Sequence, residues 1–509
     1  MEQSSNKIIF KNTLLLYFRM ALVTVVGLYT SRVVLDILGV DDFGIYTVAG
    51  SAVALFVFIN GALGQSSSRY LTVELGKVKD GDVSTLSLCF KTTRAIHGIL
   101  AIIIALLCET IGLWILYSSS IPADRMDAAF WVFQISTITA MINVTQVPFN
   151  ALIIAHERIG VFAYISIFEV VAKLVACYML IVSPVDKLVC CAILFFLVHV
   201  IVFLSYRIYC KRHFLECVNG YGLDQAFFRP IMSFSFWNLF GSLSYSALTQ
   251  GTTIIISFFF GPALVTARAI ANQVKGYMTY FVANFRTAIN PQILKRNAAG
   301  ESESSRNLLF LSANITFYML LVMVLPLLFE ARFILNLWLV DVPDYTVEFL
   351  QIAMLEMLFY CYDVTFYQIF QSEGRLKENA ILCPAMDVIG LLIVYCYYLW
   401  GGNVLAIAWC MVFLTIAQGC LLKPFLAVRL FGYKWKDFIL VFFNNIKVLF
   451  VSILIPLFLY YYLEESVAVN CMVMAVAVIS ALLSSFYLGL PAQMRKKITE
   501  SVLSEMKKS

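Results

Sequence analysis

Charge is what this 509-residue chain has little of: Asp, Glu, Lys and Arg make up 13% of it, against 61% hydrophobic residues and a mean hydropathy of +0.86. A soluble domain carries about 25% charged residues, so the shortage excludes that class and predicts an integral membrane protein. No polar stretch between the apolar runs is long enough for a soluble domain. G-x-x-x-x-G-K-[ST] is missing, so an ATP-driven pump would need a separate ATPase subunit, and H-E-x-x-H is missing as well. Thirteen Cys are present, but no C-x-x-C. Scattered through apolar segments, they read as small hydrophobes rather than a disulfide framework or a zinc site. The net charge of +5 gives no case for nucleic-acid binding. N-x-T at Asn143 and Asn314 lies inside predicted helices.

What is there is a series of apolar runs long enough to cross about 30 Å of hydrocarbon. The predicted spans are 12–35, 43–64, 95–117, 128–152, 160–182, 187–206, 232–258, 264–290, 308–329, 346–370, 379–400, 404–422, 440–463 and 467–489, fourteen helices in all. The first eleven residues are polar and lead into a full apolar run without a small-residue cleavage site, so the first helix is expected to be retained. With an even number of helices both termini share one side. If that side is cytoplasmic, the inner segments hold 26 of the 36 Lys and Arg, Lys423 among them, and the outer loops only Arg125, Lys187 and Arg332. That asymmetry predicts cytoplasmic termini.

The chain also matches itself at an offset of 217 to 222 residues. Gly39 aligns with Gly261, and "VPFNALIIAHERIG" (147–160) with "VTFYQIFQSEGRLK" (364–377), which places Arg158 on Arg375; Glu169 falls one residue from Asp387. The unit is six helices, so both copies share one orientation and are related by an axis along the membrane normal. The expected organisation is an N-terminal lobe over 1–206, a cytoplasmic linker over 207–230, a C-terminal lobe over 231–425, two trailing helices over 426–490 and a cytoplasmic tail over 491–509. Two such lobes suit rocking, alternating-access transport, although a duplication without moving parts would leave the same pattern.

The stretch "SRVVLDILGVDDFGIYTVAGSAVALFVFINGALGQSSSRYLTVELGK" (31–77), with Leu38-Gly39, Phe43-Gly44, Tyr46 and the polar "GALGQSSSRY", resembles the opening helix pair of bacterial polysaccharide transporters. These are the O-antigen and exopolysaccharide flippases of the multidrug/oligosaccharidyl-lipid/polysaccharide exporter superfamily. The resemblance implies two V-shaped lobes, a multi-pass protein of the bacterial inner membrane, and no nucleotide hydrolysis. It implies a lipid-linked oligosaccharide on an undecaprenyl-pyrophosphate carrier, moved from the inner to the outer leaflet, and polysaccharide polymerase and chain-length machinery as partners beside the bilayer itself.

The span 264–290 carries Arg268, Lys275 and Arg286. At 100° per residue position 275 lies about 20° from 268, and 286 returns to the angle of 268, so the three share one face over about 27 Å. A cation at mid-membrane costs roughly 2.5 to 3.5 kcal/mol, which argues that the face meets protein or water. Snorkelling of the two arginines to opposite interfaces is the other reading, leaving Lys275 unavoidably deep. In the first span Arg19 has no acid at helical spacing and could contact substrate or snorkel; Arg32 has Asp36 one turn on as an ion-pair partner. A pyrophosphate crossing a bilayer needs a wet, positive path, so these five cations are candidate substrate-binding groups. Glu169 precedes Lys173 by four, the favourable order for a neutralising pair. Glu356, Asp363 and Asp387 lack a local basic partner: they either pair with the cations of 264–290 or, with Glu169, couple transport to a proton or sodium gradient. No cofactor or metal is expected.

Two other functions compete with a flippase. An ion-coupled multidrug exporter of the same superfamily would want an acidic or aromatic cavity, against which the cation row argues. A membrane glycosyltransferase or polysaccharide polymerase would need a sizeable outer loop or domain for its catalytic groups, and the predicted outer loops are short.

Overall fold

The first two predicted spans join without a loop. Helix α1 (Glu2–Lys77) is helical on both sides of Gly39, whose φ of 78° and ψ of 172° break it; a residue with a Cβ pays steric strain in that region, so glycine sits where the chain must turn. The computed structural model describes residues 2–78, 82–217, 220–492, 494–496, 499 and 500, and their side chains except at 2–18, 59, 61, 62, 65, 159, 234–242, 245, 287 and 288. Most of the predicted tail over 491–509 therefore lies outside the described residues.

After α1 come α2 (Ser84–Leu107), α3 (Leu113–Ser118), α4 (Met126–Ala155), α5 (Ile159–Ile181), α6 (Lys187–His213), α7 (Gln225–Phe259) and α8 (Pro262–Ala298). Then follow α9 (Ser302–Phe329), α10 (Ala331–Trp338), α11 (Thr346–Ser372), α12 (Lys377–Leu399), α13 (Ala406–Ile416), α14 (Lys423–Phe431), α15 (Trp435–Tyr462) and α16 (Val467–Ser484). Wider π-helical turns, Cys108–Gly112 and Ala417–Leu422, join α2 to α3 and α13 to α14 into single long spans. Eleven stretches among the described residues are long and apolar enough to cross a membrane. One of them, Arg19–Phe58, runs through Gly39 and covers most of the first two predicted spans, while α7, with only a shorter apolar stretch at Ser246–Phe259, and α8 are not among the eleven. Counting the two halves of α1 separately and adding α7 and α8 gives fourteen crossings, so the protein is an all-α polytopic membrane protein. Helix α8 is less apolar because it carries Asn272, Gln273 and Asn284 as well as its cations.

By packing, the chain divides into one unit of Met1–Thr266 with Leu339–Pro343 and a second of Ala267–Trp338 with Asp344–Ser509. The sequence repeat sets its boundary at 207–230; the packing boundary lies past α7, because α7 packs along α1. In the first unit Arg125, at the start of α4, grips Asp42 with Nε (2.9 Å) and Nη2 (2.5 Å), and its Nη1 reaches Asp186 (2.6 Å) at the start of α6. Asp186 also caps α6 by accepting from the Leu188 and Val189 amides. Its far end is an apolar cluster around Leu71, Phe90, Phe149, Leu152 and Val202. In the second unit an aromatic cluster draws α9, α11 and α15 together: Phe438 stands edge-on to Phe366 at 5.0 Å and to Phe310 at 5.2 Å, and Phe442 edge-on to Tyr362 at 4.8 Å.

One clasp occurs once in each unit. Arg94 on α2 donates to the Gly220 carbonyl (3.2 Å) and lies over the Tyr221 ring (4.7 Å). Arg306 on α9 donates to the carbonyls of Gly432 (3.3 Å) and Phe431 (2.9 Å) and lies over Tyr433 (4.2 Å). All three members are 212 positions apart, and both glycines have positive φ, 111° and 67°. The repeat is thus physical: in each copy an arginine near the start of one span holds the turn that follows the sixth span of that copy. In the first unit the clasp continues with the Asp224 amide donating to Thr92 Oγ1 (3.2 Å) and Asp224 capping α7 at Ala226 (2.7 Å). That fastening joins the segment leading into α7 to α2. Nearby Glu216, 3% exposed, pairs with His156, whose ring stacks on Phe214 at 4.0 Å.

Two predictions follow from these contacts. Arg306→Gln removes charge-assisted bonds to two carbonyls and a cation–π contact, and should destabilise the detergent-solubilised protein by about 1–2 kcal/mol, read as a fall in melting temperature, with Arg306→Lys losing less. Burial raises the Glu216 carboxyl, but the His156 hydrogen bond, a backbone hydrogen bond and the nearby His156 charge together outweigh burial and leave it below the ordinary carboxylate value. A lowered folded-state pKa contributes stability that is present above the ordinary value and lost as pH falls through the lowered one. Stability should therefore drop on the acid side of about pH 4.5, and a melting-temperature titration of Glu216→Gln should show a shallower drop.

Candidate functional site

The three cations of α8 lie along one face of α11. Arg268, only 6% exposed, is packed over the Phe349 ring at 5.9 Å, with Glu356 in electrostatic reach. Seven residues on, Lys275 Nζ donates to Glu356 Oε1 at 2.5 Å, and the same oxygen accepts from Thr415 Oγ1 at 3.3 Å. Arg286 is half-buried in the field of Tyr360, Asp363 and Tyr367. Positions 349, 356 and 363 are seven apart on α11, so they form a single stripe opposite the stripe on α8. The row therefore meets protein within the second unit, and Arg268 is covered by aromatic side chain rather than extended to a membrane interface.

Glu356 and Asp363, the two acids of the α11 stripe, are each neutralised by a lysine. Lys423, 4% exposed, donates to Asp363 Oδ1 (2.5 Å) and to the Asp363 carbonyl (2.9 Å). Gly419, in the π turn before α14, has no space for a Cβ: it would come within 2.8 Å of the Asp363 amide nitrogen. This close approach seats Lys423 on Asp363. The same turn supplies Gln418, whose Nε2 donates to Asp387 Oδ1 at 2.5 Å. Asp387 thus has an amide partner, with Asp363 and Lys423 further off in electrostatic reach. With Glu356 and Asp363 engaged, Arg268 and Arg286 have no ion-pair partner among the described residues, and the Nε of each is buried without a hydrogen bond.

Lys423, expected from the sequence among the inner-facing cations, is instead a buried member of the charged seam. The signal available in the sequence was that "PFLAVRLF" (424–431) stays mostly apolar after it, so the span runs on to Phe431 instead of ending at 422.

The first unit holds the other candidates. Glu169 accepts from Lys173 Nζ at 2.7 Å, and His199 lies in electrostatic reach of both. Arg19 sits over the Phe162 ring at 4.5 Å with its Nε unpaired and Glu169 and Tyr206 in reach. Arg32 is half-buried and engaged by its surroundings, and Asp36 is exposed.

These geometries invite comparison with known proteins. No protein-family model matches the chain, and no curated protein matches it. Solved structures do. The lipid II flippase MurJ in an inward closed conformation aligns with a TM-score of 0.68 and 14% identity, over 94% of this chain and 98% of that one. An inward-facing multidrug resistance MATE family transporter of the MOP superfamily aligns at 0.58 and 11%, over 93% and 96%. A MOP superfamily transporter from Pyrococcus furiosus, described as having a binding pocket of reverse polarity, aligns at 0.52 and 13%, over 82% and 92%. At such identities the likeness is one of fold: the chain has the polytopic helical fold of these MOP superfamily transporters.

The Lys275–Glu356 pair gives a test of the seam. Lys275→Met leaves a buried carboxylate uncompensated and should cost about 3–5 kcal/mol, while Lys275→Met with Glu356→Leu should recover most of it. Thermal melts of the two variants distinguish a structural pair from isolated groups.

Proposed function

We propose that the protein is a transporter that moves an anionic lipid-linked oligosaccharide, on an undecaprenyl-pyrophosphate carrier, from the inner to the outer leaflet of a bacterial inner membrane by alternating access. The observation that carries this reading is the pair of arginines left over in the seam: Lys275 and Lys423 neutralise Glu356 and Asp363, while Arg268 and Arg286 keep unpaired donors. Arginine presents a planar fork that takes two phosphate oxygens at once, whereas lysine is a point charge. The division of labour, lysines on carboxylates and arginines free, suits a phosphate-bearing cargo. The fold neighbour named as a lipid II flippase supports a lipid-carried substrate. Asp387, held by an amide instead of a cation, is the proposed coupling group for a proton or sodium gradient, with Glu169 less suited because Lys173 already neutralises it. A cationic drug, the cargo of a multidrug exporter, would meet two unpaired arginines and be repelled.

The test compares cells with and without the protein for lipid-linked oligosaccharide retained on the cytoplasmic leaflet, identifying the glycan by mass spectrometry. Retention without the protein, and none with it, is expected; equal amounts would overturn the proposal, as would efflux of cationic dyes without any effect on the lipid. Arg286→Gln should lower transport about 10- to 100-fold, the equivalent of one lost charge-assisted contact, at unchanged expression.

A further inference from the structure

The first unit has an open cavity of about 260 Å³ with no Asp, Glu, Lys or Arg among its described lining residues. Three helices turn one face each toward it. From α1 come Tyr46 and Val53, the positions 222 residues before Arg268 and Lys275, so this cavity is the repeat-related counterpart of the charged seam with its charges left out. From α4 come Ser136, Thr139 and Asn143, spaced i, i+3, i+7 on one helical face. From α6 come Phe195 and His199, one turn apart.

The hydrogen-bonding capacity of this lining is largely unused. Thr139 donates to the Ile135 carbonyl at 2.7 Å, which leaves its oxygen free to accept. Tyr46, Ser136 and Asn143 have no hydrogen-bond partner among the described residues, and Tyr46 meets Phe195 edge-on at 6.2 Å. An apolar occupant such as an acyl chain would leave three or four polar groups unpaired away from water, at a cost for each. An anion finds no cation in the lining, and a cation finds no carboxylate. A ring bearing several hydroxyls or an acetamido group and an apolar face matches amide, hydroxyl and imidazole on one side and aromatic surface on the other. The volume, below the roughly 300 Å³ at which drug-sized pockets begin, suits a unit of about one sugar ring.

We propose that this cavity is a subsite for a neutral sugar ring. The source of that sugar, the glycan of the transported lipid, rests on the function proposed above; the site itself rests on its own lining. Each unit then has a site of its own chemistry, arginines suited to phosphate in the second and an uncharged cavity suited to neutral glycan in the first.

The experiment is saturation-transfer NMR on the full-length protein in nanodiscs, with N-acetylglucosamine, galactose and galacturonate as separate probes at about 10 mM, enough to fill a site of 1 mM affinity. Saturation of a neutral sugar by the wild type is expected, with galacturonate at background. A loss of at least about 5-fold is expected in Asn143→Leu and in the smaller change Ser136→Ala, each checked for an unchanged melting temperature. Ser136→Ala keeps the test valid if Asn143→Leu does not fold. Undiminished saturation in both variants, no saturation by either neutral sugar, or galacturonate saturating best would each overturn the subsite. Neutral-sugar binding that follows these variants while lipid-linked oligosaccharide is not moved would leave the subsite standing and remove the flippase reading. Transport without such binding would do the reverse.

Discussion

A cation inside a bilayer has to be answered, and in this protein the answer to α8 is α11. Moving an ionised group out of water costs several kcal/mol unless a partner or a polar surround replaces the lost solvation. That constraint fixes which face of α8 turns inward, and it places Glu356 opposite Lys275. It also explains the π turn before α14. A regular helix there would shift the residues that follow, and the wider turn brings Gly419 onto the Asp363 backbone and Lys423 onto its carboxylate. Two acids are neutralised by two lysines, and two arginines remain.

The first unit meets the same constraint by different means. Its α1 carries Tyr46 and Val53 where α8 carries Arg268 and Lys275, and an uncharged cavity lies there instead of a seam of ion pairs. Duplication preserved what shapes the backbone and let the cavity-facing chemistry diverge. The duplicated arginine clasps belong to the preserved part, because each satisfies a carbonyl at a glycine turn between two helices, and Arg306 also that of Phe431 at the end of α14. The Arg94 clasp, followed by the Asp224 cap, also accounts for α7 packing with the first unit although the sequence repeat counts it with the second.

Much of the architecture was legible in the sequence. Apolar run length is a direct reading of bilayer thickness, so the fourteen crossings could be counted, and Gly39 was visible as a helix end. The α8 stripe could be drawn from helical periodicity alone, and Glu169 with Lys173 from i,i+4 spacing, because both are local properties of one helix. The partners of Glu356 and Asp363 could not be chosen. Lys275 lies 81 residues from Glu356 and Lys423 lies 60 from Asp363, and no local spacing rule reaches that far. Lys423 was misplaced for a related reason: a cation at the end of an apolar run is read as an anchor when the π turn that carries it inward is not encoded as periodicity. The clasps escaped notice because their repeat offset, 212, differs from the offset at which the helices themselves align.

The sequence by itself determined that this chain lives in a bilayer, how many times it crosses, and that one helix bears a row of cations, because each of these follows from the hydrophobicity and angular spacing of neighbouring residues. Tertiary structure decided which of those cations are neutralised, which remain unpaired, and that the equivalent surface of the other unit lines an uncharged cavity. Those outcomes depend on distances between helices far apart in the chain, and in a medium of low dielectric a displacement of a few ångströms separates an ion pair from an unpaired charge.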